Sequence, residues 1–319
     1  MSAERPAPAA GITGSRALEA EVTRWFAVSA RDLPWRRPGA TAWEVLVSEF
    51  MLQQTPVPRV LPAYRAWLGR WPTARALAAA TPGDAVRQWG ALGYPRRAIR
   101  LHACAVIISA RHGGRVPASL EALREMPGVG DYTAAAVTSF AFGQRHAVLD
   151  TNVRRVLARL VGGRQFPAGS VSAGERALAE SLLPPAAGRR AATWSAALME
   201  LGALICTPAR PACDRCPVAH RCAWRAAGMP PGPPPRRGAP YQGSDRQCRG
   251  SLLAVLRSAD GPVAPAALAA AWPDPAQRDR ALGALLFDGM AVRRDDGLIC
   301  LPGDGRPPPP PGGPGRPGA

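Results

Sequence analysis

The sequence predicts a mainly α-helical protein. Between residues 16 and 228, apolar residues recur at three- and four-residue spacing in segments such as AVRQWGALG, AIRLHACAVIISA and VRRVLARLV. This is the period of a helix with one buried face. Few segments alternate apolar and polar residues, the pattern typical of a half-exposed strand. With 319 residues, the chain is long enough for one or two domains with a sizeable core.

Segments rich in Pro, Ala and Gly divide the chain. We expect residues 1–15 and 303–319 to be disordered, and residues 229–241 to form a semi-extended linker. The first residues contain no apolar segment of signal-peptide length, and no later segment could span a bilayer. We therefore expect a cytoplasmic protein with no membrane partner and with reduced cysteines.

Residues 242–302, between the linker and the tail, read as three helices followed by AVRR and LICLP around a turn. This order predicts a small winged-helix-like unit. Such a unit can bind DNA or serve only as a packing domain, and the sequence leaves both roles open.

Positive charge dominates the composition. The chain has 40 Lys+Arg against 23 Asp+Glu, a formal net charge of +17, and every basic side chain among the 40 is arginine. Compositional bias explains why arginine replaces lysine, but it does not explain the excess of positive charge. Such an excess attracts polyanions, above all nucleic acid.

A glycine-rich turn precedes one predicted helix in MPGVGDYTAAAV, residues 126–137. Gly128 and Gly130 allow backbone N–H groups to point outward at the helix N-terminus, which suits a phosphate. Glycine turns between helices are also common as purely structural features, so this motif alone leaves both readings open.

Four cysteines lie close together in CTPARPACDRCPVAHRC, with the spacing C-x6-C-x2-C-x5-C: Cys206, Cys213, Cys216 and Cys222. Four thiolates at such spacing can hold a structural zinc ion or a four-iron cluster. His220 lies within the same segment, but four cysteines already complete the ligand set, so we expect its side chain to face solvent or cap the loop.

Four motifs in the same order resemble one family over residues 20–228. The cysteine spacing is similar to that of the endonuclease-III-like DNA glycosylases, where it holds a [4Fe-4S] cluster, and MPGVGDYTAAAV resembles their helix-hairpin-helix motif. LPWR at 33–36 and VSEFMLQQTPV at 47–57 resemble the MutY-type adenine DNA glycosylases. The resemblance implies that Gly128 and Gly130 present backbone amides to a DNA phosphate.

The resemblance also implies a fold: a six-helix barrel with the helix-hairpin-helix at 36–146, and an iron–sulfur cluster domain formed by 16–35 and 147–228. Residues 242–302 are too short for the MutT-like domain that reads 8-oxoguanine in this family.

Two carboxyl groups suit the chemistry of this family, because base release needs an acid for the leaving base and a carboxylate to support positive charge on the sugar. Glu49 lies in an apolar helix, where burial would raise its pKa, and Asp150 precedes a helix, which favours the ionised form. We expect the two pKa values to shift in opposite directions. The resemblance implies that Glu49 protonates adenine and handles water, and that Asp150 stabilises the oxocarbenium-like sugar. Taken alone, Asp150 is also an ordinary N-cap.

Position 132 separates two kinds of relatives. Those that also cut the DNA strand carry a lysine there, which forms a Schiff base with the sugar. This chain has Tyr132 instead and contains no lysine, so we expect base removal alone. The resemblance implies that Tyr132 hydrogen-bonds near Asp150 and that Asn152 orients the same region.

Further DNA contacts follow from the resemblance. Gln54 is similar to the residue that fills the gap left by a flipped base, and Leu52 and Trp35 are similar to walls of the adenine pocket, although Trp35 could equally be a core residue. Arg36 of LPWR belongs to the same group of DNA and base contacts. Family members often have a second tyrosine after GLGY, where this chain has Pro95.

The sequence thus predicts a monomeric, DNA-associated, monofunctional adenine DNA glycosylase with one [4Fe-4S] cluster. Its expected partner is double-stranded DNA that contains adenine opposite 8-oxoguanine or guanine. The alternative is a non-catalytic iron–sulfur DNA-binding regulator, which would need neither Glu49 nor Asp150. A lyase acting on oxidised pyrimidines conflicts with Tyr132 and with the missing lysine.

Overall fold

The computed structural model describes residues 15–185, 188–233 and 240–304. The predictions of disorder for 1–14 and 305–319, and the centre of the predicted linker at 234–239, lie outside these residues. Within them the protein is mainly helical, as predicted, and none of the described helices is long and apolar enough to cross a membrane.

The described helices run in chain order as follows. They are α1 (Ser15–Ser29), α2 (Ala42–Leu52), α3 (Val57–Arg70), α4 (Ala74–Ala78), α5 (Pro82–Trp89), α6 (Arg96–Arg111), α7 (Leu120–Arg124) and α8 (Asp131–Phe142). They continue with α9 (Thr151–Leu160), α10 (Ala173–Ser181), α11 (Arg189–Leu204), α12 (Ala223–Ala226), α13 (Asp245–Ser258), α14 (Pro265–Ala271) and α15 (Pro275–Phe287). Short 3-10 turns occur at Pro34–Arg36, Cys213–Arg215 and Ala219–Arg221.

Contacts between residues divide the chain into two compact units. Unit 1 combines Met1–Gln53 with Arg115–Arg237, and unit 2 combines Gln54–Gly114 with Gly238–Ala319. The domain boundaries expected from the sequence remain a prediction.

The core of unit 1 forms where α1, α9 and α11 pack together. Helix α9 contributes Val153, Val156, Leu157 and Leu160, which recur at three- and four-residue spacing, and α11 contributes Trp194, Leu198 and Leu201. This packing fixes the start of α9, and therefore the position of Asp150, its N-cap residue.

Helix α2 of unit 1 is buried on almost every side. It begins with a capping box, in which the Thr41 hydroxyl accepts the Glu44 N–H and the Glu44 carboxylate accepts the Thr41 N–H. From Trp43 to Met51 nearly every side chain is buried, and α2 packs against α8. A carboxylic acid in this helix therefore has little access to water.

Unit 2 has an aromatic core formed by tryptophans of α3 and α5. Trp67 meets Trp71 and Trp89 edge to face, with ring centroids 4.7 and 5.5 Å apart. The same unit contains α13, α14 and α15, followed by antiparallel strands β1 (Val292–Arg293) and β2 (Ile299–Cys300). This confirms the winged-helix-like order predicted for the C-terminal part.

Residues 245–304, which we call the C-terminal module, are attached to α5 within unit 2. Arg87 donates two hydrogen bonds to Asp304, at 2.8 and 2.6 Å. The Gly83 N–H donates to the Pro302 carbonyl at 2.8 Å. The end of the module and the start of α5 therefore touch through their backbones.

Gly83→Ala is expected to destabilise this attachment. A Cβ at position 83 would lie 2.9 Å from the Pro302 oxygen and 3.1 Å from Leu301 Cβ, and the backbone there has to move to make room. We expect the free energy of unfolding to fall by about 1–3 kcal/mol in thermal melts. As control, Gly69→Ala in α3 meets no described atom within 4 Å and should stabilise the helix by about 0.5–1 kcal/mol. Equal behaviour of the two variants would contradict the close backbone contact.

Candidate functional site

Three polar side chains meet where α2, α8 and α9 of unit 1 adjoin. Glu49 lies on α2 and is 3% exposed, Tyr132 lies in the first turn of α8, and Asp150 caps α9. The Tyr132 hydroxyl hydrogen-bonds to the Glu49 carboxyl group, and the charge of Asp150 acts on both. The structure thus brings together the carboxyl pair and the tyrosine predicted from the sequence.

Burial raises the pKa of Glu49 to about 7. The negative charge of Asp150 adds to this effect, while the hydrogen bond from Tyr132 and the positive charge of Arg36 oppose it. A carboxyl group in apolar surroundings holds its proton because the ionised form loses its hydration. Near neutral pH, Glu49 therefore exists in both protonation states and can give or take a proton.

The second carboxyl oxygen of Glu49, Oε2, is fully buried and has no hydrogen-bond partner within the described residues. A buried polar atom without a partner costs roughly 1–3 kcal/mol, and such groups are uncommon in folded proteins. Oε2 is therefore able to hydrogen-bond to a ligand atom or to a water molecule.

Asp150 accepts several hydrogen bonds at the start of α9. Its Oδ1 accepts the Val153 N–H at 2.6 Å, and its Oδ2 accepts an amide hydrogen of the Asn152 side chain at 2.7 Å. Asp150 is therefore both a helix N-cap and a neighbour of Glu49. Asn152 thus contacts the Asp150 carboxylate, and its role in orienting this region during catalysis remains a prediction.

The expected direction of the Asp150 pKa shift was wrong. Burial raises its pKa above the ordinary value, and this effect exceeds that of the hydrogen bonds from Val153 and Asn152, which favour the ionised form. Both carboxyl groups thus shift in the same direction. Asp150 and Glu49 still differ, because Asp150 accepts these hydrogen bonds while Glu49 keeps one oxygen unpartnered among the described residues.

The Tyr132 hydroxyl hydrogen-bonds to Glu49, and the charge of Asp150 acts on it as well. The role of Tyr132 beside Asp150 in catalysis remains a prediction. Burial and the two nearby carboxyl groups raise the pKa of Tyr132 well above its usual value. The phenol therefore stays neutral and serves as a donor to Glu49.

A buried ion-pair cluster holds the LPWR segment. Glu200 on α11 is fully buried and accepts two hydrogen bonds from the Arg31 side chain, at 2.7 and 2.8 Å, and one from Arg36 at 2.8 Å. Burial opposes the ionisation of Glu200, but the contacts with Arg31 and Arg36 outweigh it and lower its pKa to about 2. Glu200 thereby fixes Arg36, whose charge reaches Glu49.

Three further predicted residues lie near the ends of these elements. Trp35 is buried in the 3-10 turn Pro34–Arg36, and Leu52 is half-buried at the end of α2. Gln54 is exposed and belongs to unit 2. Their contacts with a base remain a prediction.

The two glycines of the turn between α7 and α8 differ in backbone conformation. Gly128 has a φ of +83°, which requires glycine in practice. Gly130, the N-cap of α8, has an ordinary φ of −94° and provides no side-chain cap. A Cβ at Gly130 would meet no described atom within 4 Å. Neither backbone conformation nor packing explains this second glycine, whereas close approach of an anion would.

The four cysteines surround a cavity in unit 1. The cavity is open to solvent and is lined by Cys206, Cys213, Cys216 and Cys222, with Arg159 and Trp224 among its other walls. No three Cys, His, Asp or Glu side chains among the described residues lie close enough to hold a single metal ion. The four thiols therefore line the cavity and do not converge on a single metal ion. His220 is exposed and lies 3.5 Å from Glu21, as expected of a residue outside the ligand set.

Two buried arginines connect this cavity with α9. Arg159 donates to Cys206 Sγ at 3.4 Å and lies over the Trp224 ring at 4.7 Å. Arg155 donates to the Cys206 carbonyl at 2.7 Å and to the Asn152 side-chain oxygen at 2.8 Å. Since Asn152 bonds to Asp150, a continuous chain of hydrogen bonds joins the cysteine segment to the carboxyl pair.

Sequence reasoning missed Glu200, Arg155 and Arg159. A signal for each was present: Glu200 interrupts the apolar face of WSAALMELGALI, and the two arginines stand four residues apart on the apolar face of VRRVLARL. Charged residues at buried helical positions have partners in most proteins. The partners themselves, however, come from distant segments.

A model described as HhH-GPD superfamily base excision DNA repair protein matches residues 47–176. The adenine DNA glycosylase of Mycolicibacterium smegmatis is 52% identical over 89% of this chain and 96% of its own length. The adenine DNA glycosylase of Homo sapiens is 41% identical over 66% of this chain and 39% of its own length. The solved structure of a thermostable thymine-DNA glycosylase covers 67% of this chain and 97% of its own, with a TM-score of 0.61 and 27% identity.

Glu49→Gln is expected to stabilise the protein at pH 8 and much less at pH 5. The folded-state pKa of about 7 lies above the ordinary 4.5, so the folded state keeps a proton that the unfolded state loses between these values. Stability therefore falls as pH rises through this window, and the variant avoids a loss of about 1–3 kcal/mol at pH 8. Thermal melts at both pH values measure it. Exposed Glu180→Gln is the control, and equal stabilisation of Glu49→Gln at both pH values would contradict the buried acid.

Proposed function

Because this chain belongs to the adenine DNA glycosylase family of the helix-hairpin-helix superfamily, we propose that it hydrolyses the N-glycosidic bond of adenine opposite 8-oxoguanine or guanine in duplex DNA, in base excision repair. One observation carries this proposal: Glu49 is buried beside Asp150, with a pKa of about 7 and a carboxyl oxygen that has no described partner. A regulator that only binds DNA would gain nothing from so costly a pair.

The first step is protonation of the base. Glu49 donates its proton to a ring nitrogen of the extruded adenine, which turns the base into a better leaving group. The bond between the sugar carbon and the base then breaks, and the bonding electrons leave with the adenine. The hydrogen bond from Tyr132 keeps the Glu49 carboxyl group oriented while its charge changes.

Positive charge then develops on the sugar. The Asp150 carboxylate stabilises it, since a preorganised negative charge in a water-poor site acts strongly on a cationic transition state. Hydrogen bonds from Val153 and Asn152 hold this carboxylate in one orientation. Glu49, now ionised, accepts a proton from water as the hydroxyl adds to the sugar carbon. The acid is thereby restored.

The reaction should end at the abasic site. Strand cleavage through a Schiff base requires an amine near the sugar. Tyr132 provides only a hydroxyl, and the chain contains no lysine.

The cysteine cavity fits a [4Fe-4S] cluster held by Cys206, Cys213, Cys216 and Cys222. A zinc ion requires sulfur atoms at about 2.3 Å around one point, whereas no three of these thiols, among the described residues, lie close enough to hold a single ion. Arg159 adds a positive charge beside Cys206, which suits thiolate ligands. The cluster would give this segment its structure, and Arg155 ties that segment to Asn152.

DNA binding draws on charge and on the hairpin. The net charge of +17 attracts the duplex, and the amides at Gly128 and Gly130 would bind one phosphate. We expect the protein to act on DNA in the cytoplasm as a monomer.

The proposal is tested with duplexes that carry adenine opposite 8-oxoguanine, guanine, cytosine or thymine, and with thymine opposite guanine. We expect alkali-labile sites at adenine opposite 8-oxoguanine and guanine, intact strands before alkali, and little covalent complex with borohydride. Asp150→Asn and Glu49→Gln should still bind the duplex but lose most base release, by about 100-fold or more in single-turnover rate. Wild-type rates in either variant, or thymine release alone, would contradict the assignment.

Gly130→Ala is expected to weaken DNA binding without unfolding the protein. The methyl group would occupy open space at the hairpin and obstruct a phosphate there, lowering affinity for all duplexes by roughly three- to tenfold. Fluorescence anisotropy measures it. Gly169→Ala is the control, because its Cβ also meets no described atom within 4 Å. Unchanged affinity of Gly130→Ala would exclude phosphate binding at this turn.

The purified protein is expected to be brown and to contain about four iron atoms per chain. Cys213→Ser should lower both iron content and visible absorbance. The control Cys104→Ala, at a buried cysteine outside the cavity, should preserve both. Metal analysis and absorption spectra measure this. One zinc and no iron in the wild-type protein would show that the site is a structural zinc centre.

A further inference from the structure

Two exposed side chains of unit 2 extend from strained backbone. Gln54 has a φ of +58° and Tyr94 a φ of +47°, and within the described residues Met229 is the remaining non-glycine residue with positive φ. Tyr94 is 54% exposed. Such conformations cost about 1–3 kcal/mol each and persist only where neighbouring contacts enforce them. Strain that presents an aromatic ring to solvent is a common feature of functional sites.

One buried arginine joins the two strained positions. Arg97 is 5% exposed and donates to the Tyr94 carbonyl at 3.3 Å and to the Gly93 carbonyl at 3.0 Å. It also donates to the hydroxyl of Thr55 at 2.8 Å, next to Gln54. The guanidinium lies 5.3 Å from the centre of the Tyr94 ring. The loop between α5 and α6, residues 90–95, is therefore attached to the turn that carries Gln54.

The C-terminal module holds this loop at both ends. At one end, Arg257 of α13 donates to the Gly90 carbonyl. At the other end, Asp288 after α15 pairs with Arg96, the first residue of α6, at 3.4 Å, and accepts from Arg249 at 2.6 Å. The Asp288 side chain is 8% exposed, so its carboxylate is largely shielded from water.

The module itself has little attraction for a polyanion. Residues 245–304 contain seven arginines and eight aspartates and no Lys or Glu, a net charge of −1 in a chain of net charge +17. Several of its exposed arginines also pair with its own aspartates, as Arg280 does with Asp245 and Arg294 with Asp296. The C-terminal module therefore contributes no net electrostatic attraction to DNA, despite its winged-helix-like order.

We infer that the C-terminal module braces the loop at residues 90–95, and that Asp288 and Arg257 are positioning residues that hold Tyr94 in place for insertion into the base stack of the bound DNA. This rests on the proposed function. An aromatic ring on a rigid loop can fill or wedge open a base stack, whereas a loose loop would first have to be ordered at a cost in free energy. The module thus contributes to base release without contacting the base.

A double-mutant cycle separates this role from plain stability. Asp288→Asn should lower the single-turnover rate of adenine release roughly fivefold when Tyr94 is present and leave it unchanged in a Tyr94→Ala background, because coupled residues are not additive. Asp304→Asn is the matched control, since it is equally buried and pairs with Arg87 on α5. Asp304→Asn should lower the melting temperature. Its effect on the rate of adenine release should be the same with and without Tyr94. An equal fall in rate in both backgrounds would overturn the brace.

A second measurement needs no activity. Hydrogen exchange at the Gly93 and Tyr94 amides should become faster in Asp288→Asn and in Arg257→Gln, which releases the loop from the Gly90 side, but not in Asp304→Asn. Unchanged exchange in both loop variants would refute the brace while leaving the proposed function intact. Absence of adenine release by the wild-type protein, with exchange changed as expected, would refute the function alone.

Discussion

The loss of hydration around Glu49 is the constraint on which the site depends. In water this carboxyl group would be ionised at neutral pH and useless as an acid, but α2 is buried on nearly every side and raises its pKa to about 7. The cost is borne by the surrounding fold, since one Glu49 oxygen has no partner among the described residues. Tyr132 limits this cost by donating to the carboxyl group without carrying charge itself.

Other buried charged side chains of unit 1 have more hydrogen-bond partners than Glu49. Glu200 is as buried as Glu49, yet Arg31 and Arg36 satisfy both of its oxygens and lower its pKa to about 2. Arg155 likewise donates four hydrogen bonds to acceptors on and around α9. Charged side chains with such partners are held in fixed positions, whereas Glu49 has, among the described residues, a hydrogen-bond partner for only one of its carboxyl oxygens. This contrast, more than burial itself, distinguishes the proposed acid from structural ions.

Much of this could be predicted from the sequence, and the failures have physical causes. The sequence predicted three helices in residues 242–302 and the turn that joins AVRR to LICLP, and the structure has α13, α14 and α15 followed by two antiparallel strands. The direction of the Asp150 pKa shift was wrong because it depends on the balance between burial and hydrogen bonds, which only packing sets. The hydrogen bond of Tyr132 to Glu49 and the contacts of Arg257 and Asp288 join segments far apart in sequence. No local pattern encodes such contacts.

The central claim is that Glu49 keeps its proton near neutral pH, and carbon NMR of protein labelled at the glutamate side-chain carboxyl carbon tests it most directly. One resonance should titrate near pH 7 and disappear in Glu49→Gln. If the resonance that disappears in Glu49→Gln instead titrates between about pH 4 and 5, burial does not hold the proton. The acid role assigned to Glu49 would then be contradicted.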